Sequence, residues 1–166
     1  MDAIATWFAN TLGQYIPAEA VTFIVSLMPL LECRGGIIVG RLLGLPLMST
    51  IIFSVIGNII PIPFILLFIK KIFKWLRPTK FFGPIVTKLE NRAMNKSNAL
   101  DKGEFLGLML FVGVPLPGTG AWTGSLIAAL LEVDFKKAIL AVLLGIVMAT
   151  VIMSVVSYGL IGALVG

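Results

Sequence analysis

Three runs of this chain carry no charged side chain: Leu42 to Ile69 (28 residues), Phe105 to Leu131 (27) and Ala138 to Gly166 (29). About 20 apolar residues cross a bilayer as a helix, and 18 or more in succession already argue for one. The pattern predicts an all-α integral membrane protein. Only Ala138 to Gly166 is uninterrupted. Leu42 to Ile69 meets Gly57-Asn58 and then Pro61 and Pro63. Phe105 to Val114 is stopped by Pro115-Leu116-Pro117-Gly118-Thr119-Gly120, and the apolar run resumes from Ala121 to Leu131. An equivalent break lies nearer the start, where Ala20 to Leu31 meets Glu32-Cys33-Arg34-Gly35-Gly36 before Ile37 to Leu45 continues. At 1.5 Å per residue each of these arms covers about 15–18 Å, half the hydrocarbon thickness.

The alternation of a broken element with a long helix suggests an internal duplication. A shift of 88 residues superposes Pro29 on Pro117, Gly36 on Gly124, Leu42-Leu43 on Leu130-Leu131, Ile51 on Ile139 and Gly57 on Gly145. Residues 18–69 form the first repeat and 105–166 the second, within a single membrane domain. If the broken elements span, the repeats are parallel; if they are re-entrant hairpins, the second repeat is inverted. Positive charge on the cytoplasmic side separates the two. With residues 70–104 in the cytoplasm, spanning arms would send Lys136 and Lys137 outside, and re-entrant hairpins bring them back. The lysines favour hairpins. Irregular backbone at membrane depth survives only inside protein or along a wet cavity, so the tips, Leu31 to Gly36 and Val114 to Gly120, should meet near the midplane.

Charge sharpens this layout. Charged residues make up 13% of the chain, against about 25% in soluble domains, and hydrophobic ones 58%. Of 21 charged side chains, 12 fall between Lys70 and Glu104, with a local balance of +6. Lys70, Lys71, Lys74 and Arg77 interleave with Phe73 and Trp75 as a membrane-surface anchor. From Pro84 to Asp101 an apolar stripe (Ile85, Val86, Leu89, Ala93, Leu100) opposes polar residues, which predicts an amphipathic helix on the bilayer. Residues 2–16, with Trp7, Phe8, Leu12 and Tyr15, form a short amphipathic segment ending at Pro17, an interfacial helix over 1–17. Asp2 stands where a cleavable signal would be basic, so the first segments are expected to be retained. The sequence pI near 9.6 reflects lysines beside membrane and anionic lipid rather than a nucleic-acid surface.

One cysteine and no histidine exclude an intramolecular disulfide and every imidazole-based metal or triad site. Asp2, Asp101 and Asp134 lie at span ends, so an intramembrane aspartate pair is missing too; no enzyme, cofactor or metal is expected. Glu32 and Arg34 are the most informative residues, because a charge at bilayer depth costs about 2.5–3.5 kcal/mol and marks a functional site by default. On a regular helix they would diverge by about 200°; on an unwound tip they could face one cavity, Glu32 as the titrating group and Arg34 holding an anionic substrate or Glu32 itself. In the second break, Pro117, Gly118 and Gly120 shape the turn. Thr119 is placed to cap the helix starting near Gly120, whose free N–H groups would attract an anion, with Trp122 and Thr123 beside it. Asn58 is a polar side chain in a span that faces either the cavity or a neighbouring helix. Arg41 is read as an outer-surface residue and Cys33 as a small apolar filler.

Glu32-Cys-Arg-Gly-Gly-Ile37, Gly57-Asn-Ile-Ile-Pro-Ile-Pro63 and Val114-Pro-Leu-Pro-Gly-Thr-Gly-Ala-Trp-Thr-Gly124 with Leu126 to Leu131 resemble the small multidrug export protein family of bacteria and archaea. The likeness runs from about Val21 to Gly159. Ile37-Ile38 stands where that family often has Ile-Pro. The family is similar, distantly, to DedA-like (VTT) membrane proteins, which are thought to pair re-entrant loops in inverted repeats, some with proton-dependent transport or lipid-phosphate flipping. By that resemblance the site is Glu32, Arg34, Pro117, Gly118, Thr119, Gly120, Trp122 and Thr123. The expected function is a multi-pass inner-membrane transporter for a small or amphipathic anionic solute, proton-coupled through Glu32. The alternatives are a lipid-phosphate flippase and a non-transporting membrane scaffold. Membrane lipid and a small-molecule or lipid substrate are the expected partners, and the small size suggests a homodimer.

Overall fold

A computed structural model of the chain describes residues 16–95 and 103–160; the predicted interfacial helix over 1–17 lies almost wholly outside them, as does the end of the basic linker. Among the described residues every regular element is helical. Helix α1 (Ala18–Leu27) and α2 (Glu32–Leu42) are joined by a short turn, and α3 (Leu47–Ile59) runs into α4 (Pro61–Leu76). Helix α5 (Gly83–Asn95) follows, then α6 (Glu104–Gly113), α7 (Ala121–Leu130) and α8 (Phe135–Ser154), which ends in a π-helical segment, Val155–Leu160.

Pro61 and Pro63 do not interrupt the first long helix. They occupy its first helical positions after Ile60, where a missing N–H costs little, and Ile60 itself keeps helical dihedrals (φ −52°, ψ −47°). Leu47–Leu76 is thus one 30-residue apolar element and Phe135–Gly159 a second of 25, each long enough to cross a bilayer. Their outward stripes are apolar: Met48, Ile52, Ile56, Ile60, Phe64 and Phe68 on one, Leu140, Leu144, Val147, Val151 and Val155 on the other, all exposed. Large apolar side chains repeating every three or four residues without cover suit hydrocarbon rather than water.

The two long helices run antiparallel. Thr50, near the start of the first, bonds Tyr158 beyond the end of α8 (2.6 Å), while Lys70, near the end of the first, pairs with Glu132 just before α8 (2.6 Å). Helix α2 ends at Leu42, on the Tyr158 side; α7 ends at Leu130, on the Lys70 side. The α2–α3 and α7–α8 boundaries repeat at the predicted offset, with helices ending at Leu42 and Leu130 and starting at Leu47 and Phe135. The core lies where α2, α4, α6, α7 and α8 converge, on Cys33, Ile62, Leu108, Val112, Ala121, Val142 and Ile146. Small residues allow the close crossings: a Cβ on Gly36 would collide with the hydroxyls of Ser26 on α1 and Ser54 on α3.

Candidate functional site

The first break falls one turn earlier than the composition suggests. Its irregular backbone is Met28 to Leu31, and Glu32 through Gly36 wind into the first turn of α2. Arg34 therefore leaves a helix rather than an unwound tip. Glu32 is exceptional: its φ is +53°, a left-handed conformation that costs a non-glycine residue about 1–2 kcal/mol. The second break matches the prediction, with α6 ending at Gly113 and α7 beginning at Ala121.

The two breaks meet through Glu32 and Arg34, both buried. The Glu32 carboxylate accepts from the backbone N–H of Ala121 at Oε2 (2.9 Å) and of Trp122 at Oε1 (3.1 Å). It thereby caps α7. Gly120 makes the approach possible: its φ is +144°, and a Cβ there would land on the carboxylate. The Arg34 guanidinium serves the opposite pole. Nη2 donates to Val112 O (2.9 Å) and Val114 O (3.1 Å), and Nη1 to Leu116 O (3.1 Å) and Thr119 O (3.0 Å). Val112 and Val114 stand at the end of α6 and Leu116 and Thr119 in the turn after it, so the negative charge sits on a helix N-terminus and the positive charge at a C-terminus, each the favourable sense by up to about 2 kcal/mol. Glu32 and Arg34 form no ion pair with each other within 4 Å. Two helix positions 200° apart have taken two different helix ends.

Thr119 is not the cap of α7, whose N-terminus receives no hydrogen bond from its N-cap, Gly120. Its hydroxyl lies under Arg34, 3.3 Å from both Nη atoms, and donates to Leu116 O (2.9 Å) or Val114 O (3.0 Å). The Ala121 and Trp122 amides are likewise taken by Glu32 and are not open to an external anion. Four of the guanidinium's donor directions are spent on carbonyls, and Arg34 Nε is buried without a partner among the described residues.

Beside this clamp is a cavity of about 390 Å³. Glu32, Arg34, Pro117, Gly118, Thr119, Trp122 and Thr123 line it, so most of the predicted residues come together. The Trp122 indole N–H is a second buried donor without a partner among the described residues. Asn58 lies elsewhere, fully buried and off the cavity wall. The far wall, Ile65, Ile69 and Phe73 of α4, went unforeseen; their four-residue spacing is the one signal they carry, and any buried helix face shares it. Phe73 also borders a second hollow, of about 670 Å³, rimmed by Lys70, Lys74 and Arg77.

A family model described as "Putative small multi-drug export protein" matches residues 32–152, from the Glu32 turn through most of α8. The chain belongs to this family. The matched stretch contains the clamp, all of α2 to α7 and the cavity lining except Pro29, Leu30 and Leu31. No curated protein and no solved structure gives a match. The resemblance resting on the Glu32, Gly57 and Val114 motifs is thus established at family level, with an export role in the family's description.

Proposed function

We propose that this small multi-drug export family member is a transporter, not an enzyme, carrying a small amphipathic anionic solute out through the membrane. The reading takes the architecture as two inverted repeats, each a re-entrant helical hairpin (α1–α2, α6–α7) followed by a spanning helix. Three observations support that architecture: shared boundaries at an offset of 88, antiparallel long helices, and break residues that touch while α2 and α7 end on opposite sides. Lys136 and Lys137 begin α8 at the same end as Lys70, which suits a cytoplasmic location for residues 70–104 in a bacterial or archaeal inner membrane.

The cavity carries the functional reading. Its volume, about 390 Å³, lies in the range of small-molecule sites, and a mostly apolar wall with a few polar groups suits an amphipathic body. The basic rim of Lys70, Lys74 and Arg77 beyond Phe73 favours an anion. Glu32 then serves as the coupling group: protonation removes the charge that the Ala121 and Trp122 amides and the α7 dipole hold, loosening the grip of one hairpin on the other. Solute binding and hairpin separation are thereby linked to a proton.

Efflux of sulforhodamine B, an anionic amphipathic dye, from proteoliposomes under a pH gradient tests this, with ethidium as the cationic comparison. Leu126→Trp, which fills the cavity, should abolish efflux while the protein stays folded. Unchanged efflux in that variant overturns the site, and a Glu32→Gln variant with full proton-coupled flux overturns the coupling role. The same basic rim favours a second reading, a DedA-like flippase for a lipid phosphate. Stimulated flipping of a fluorescent lipid phosphate without dye efflux would select it.

A further inference from the structure

On the other side of Cys33 from the cavity, α3 and α8 present polar side chains to the interior at helical spacing. Thr50, Ser54 and Asn58 on α3 are fully buried; so is Ser157, and Thr150 nearly so. The α3 stripe lies against the side-chain-free face of α2, with Thr50 at Gly40 and Ser54 at Gly36, and is linked to the α8 side at its two ends. At the inner end the Cys33 thiol interacts with both Asn58 and Thr150, one residue from Glu32; at the outer end Thr50 meets Tyr158. Thr50 to Asn58 covers about 12 Å of helix, close to half the hydrocarbon thickness.

Most of these groups are unsatisfied. Apart from the weakly bonding Cys33 thiol beside Asn58 and Thr150, Asn58 Oδ1 and Nδ2, Ser54 Oγ, Thr150 Oγ1, Ser154 Oγ and Ser157 Oγ have no hydrogen-bond partner among the described residues. A buried helical hydroxyl ordinarily bonds back to the carbonyl four residues earlier, as Thr22 does to Ala18 and Ser26 to Thr22 in α1 (2.8 Å each). The seam hydroxyls do not. Mixed donors and acceptors, with no carboxylate among them, match water, which supplies both bonding senses. The outer end is tied shut: the Tyr158 hydroxyl donates to Leu45 O (2.9 Å) and bonds Thr50 Oγ1 (2.6 Å), and the Arg41 guanidinium stands 5.3 Å over its ring. Tyr158 belongs to the π-helical segment, a form that recurs at functional positions.

We propose that the Asn58–Thr150–Ser54–Ser157 seam binds a file of water molecules and forms the second half of the solute route, latched by Tyr158 on the face opposite Lys70. The route itself rests on the transport reading above; the hydrated seam and its latch do not.

The test replaces Ser54 or Ser157 by cysteine in the full-length protein carrying Cys33→Ala, reconstituted in proteoliposomes. Reaction with a membrane-impermeant cationic methanethiosulfonate is timed from each side. The rate at both positions should rise about tenfold when Tyr158→Phe removes the latch hydroxyl, from the face opposite Lys70 only. Val151→Cys, on the exposed stripe, should not respond. Thr50→Val, which removes the other half of the latch, should act the same way should Tyr158→Phe fail to fold. A seam unreactive in both latch variants, a rise from the Lys70 face, or an equal rise at Val151→Cys overturns the proposal. Protection by sodium in place of potassium overturns water as the occupant. No substrate is needed, so open labelling without dye efflux sinks the exporter reading alone, and efflux with a dry seam sinks this one alone.

Discussion

Replacing Arg34 by methionine keeps most of the side-chain volume and removes the guanidinium. Four backbone carbonyls (Val112, Val114, Leu116 and Thr119) then lose a charged donor at 2.9–3.1 Å. A hydrogen bond to a charged group contributes about 1.5–3 kcal/mol, but the carbonyls share one cation and the Thr119 hydroxyl still serves one of them, so the four do not add. A buried acceptor left without a donor costs about 1–3 kcal/mol, and the Val114 and Leu116 carbonyls keep backbone N–H partners. Arg34→Met should therefore destabilise the protein by about 4 kcal/mol. Arg34→Lys should lose about half as much, since a single ammonium cannot serve both carbonyl pairs. Unfolding in mixed micelles by rising SDS fraction, followed by tryptophan fluorescence, measures both. The clamp assignment is refuted if Arg34→Met is as stable as the parent chain to within about 0.5 kcal/mol. Loss of efflux at unchanged stability would instead return Arg34 to the role of a substrate-binding cation.

Gly120→Ala places a methyl against the Glu32 carboxylate at a φ that alanine resists. It should cost about 2–3 kcal/mol in the same assay and loosen the Trp122 environment, seen as a shift in its emission. Gly36→Val drives its side chain into Ser26 and Ser54 where three helices cross; we expect poor folding, with a loss above about 3 kcal/mol, read from SDS unfolding and membrane yield. The Lys70 ammonium holds the Glu132 carboxyl below its ordinary value of 4.5. The stabilisation from that pair is complete above the ordinary value and is lost as pH falls through the lower, folded one. Stability should therefore fall less on acidification below about pH 5 in Glu132→Gln than in the parent chain, and equal losses in the two would refute the pairing.

Much of this was legible in the order of residue types. A charge-free run of 28 residues has no stable place in water, so the first long helix could be read from composition, as could the second break, where Pro115, Pro117, Gly118 and Gly120 each forbid a regular helix. The first break was misplaced by a turn. Glu32 to Gly36 look unwound by composition, yet beyond the left-handed Glu32 they wind into α2, because their charges find partners elsewhere and Met28-Pro29 supplies the bend. Pro61 and Pro63 misled in the other direction, because a proline stops a helix only where its N–H was needed.

By itself the sequence determined a helical membrane protein with two interrupted elements, two long apolar helices and a pair of charges where charge is expensive. Hydrophobic periodicity and helix breaking are local properties, and they were written residue by residue. What Glu32 and Arg34 do was decided only in three dimensions. Their partners lie 78 to 90 residues away and are backbone amides and carbonyls, which every residue possesses and no sequence pattern marks. The unpartnered seam at Asn58, Ser54 and Thr150 is invisible for the same reason: a buried hydroxyl's bonding depends on which helix lies opposite, and that is a property of packing alone.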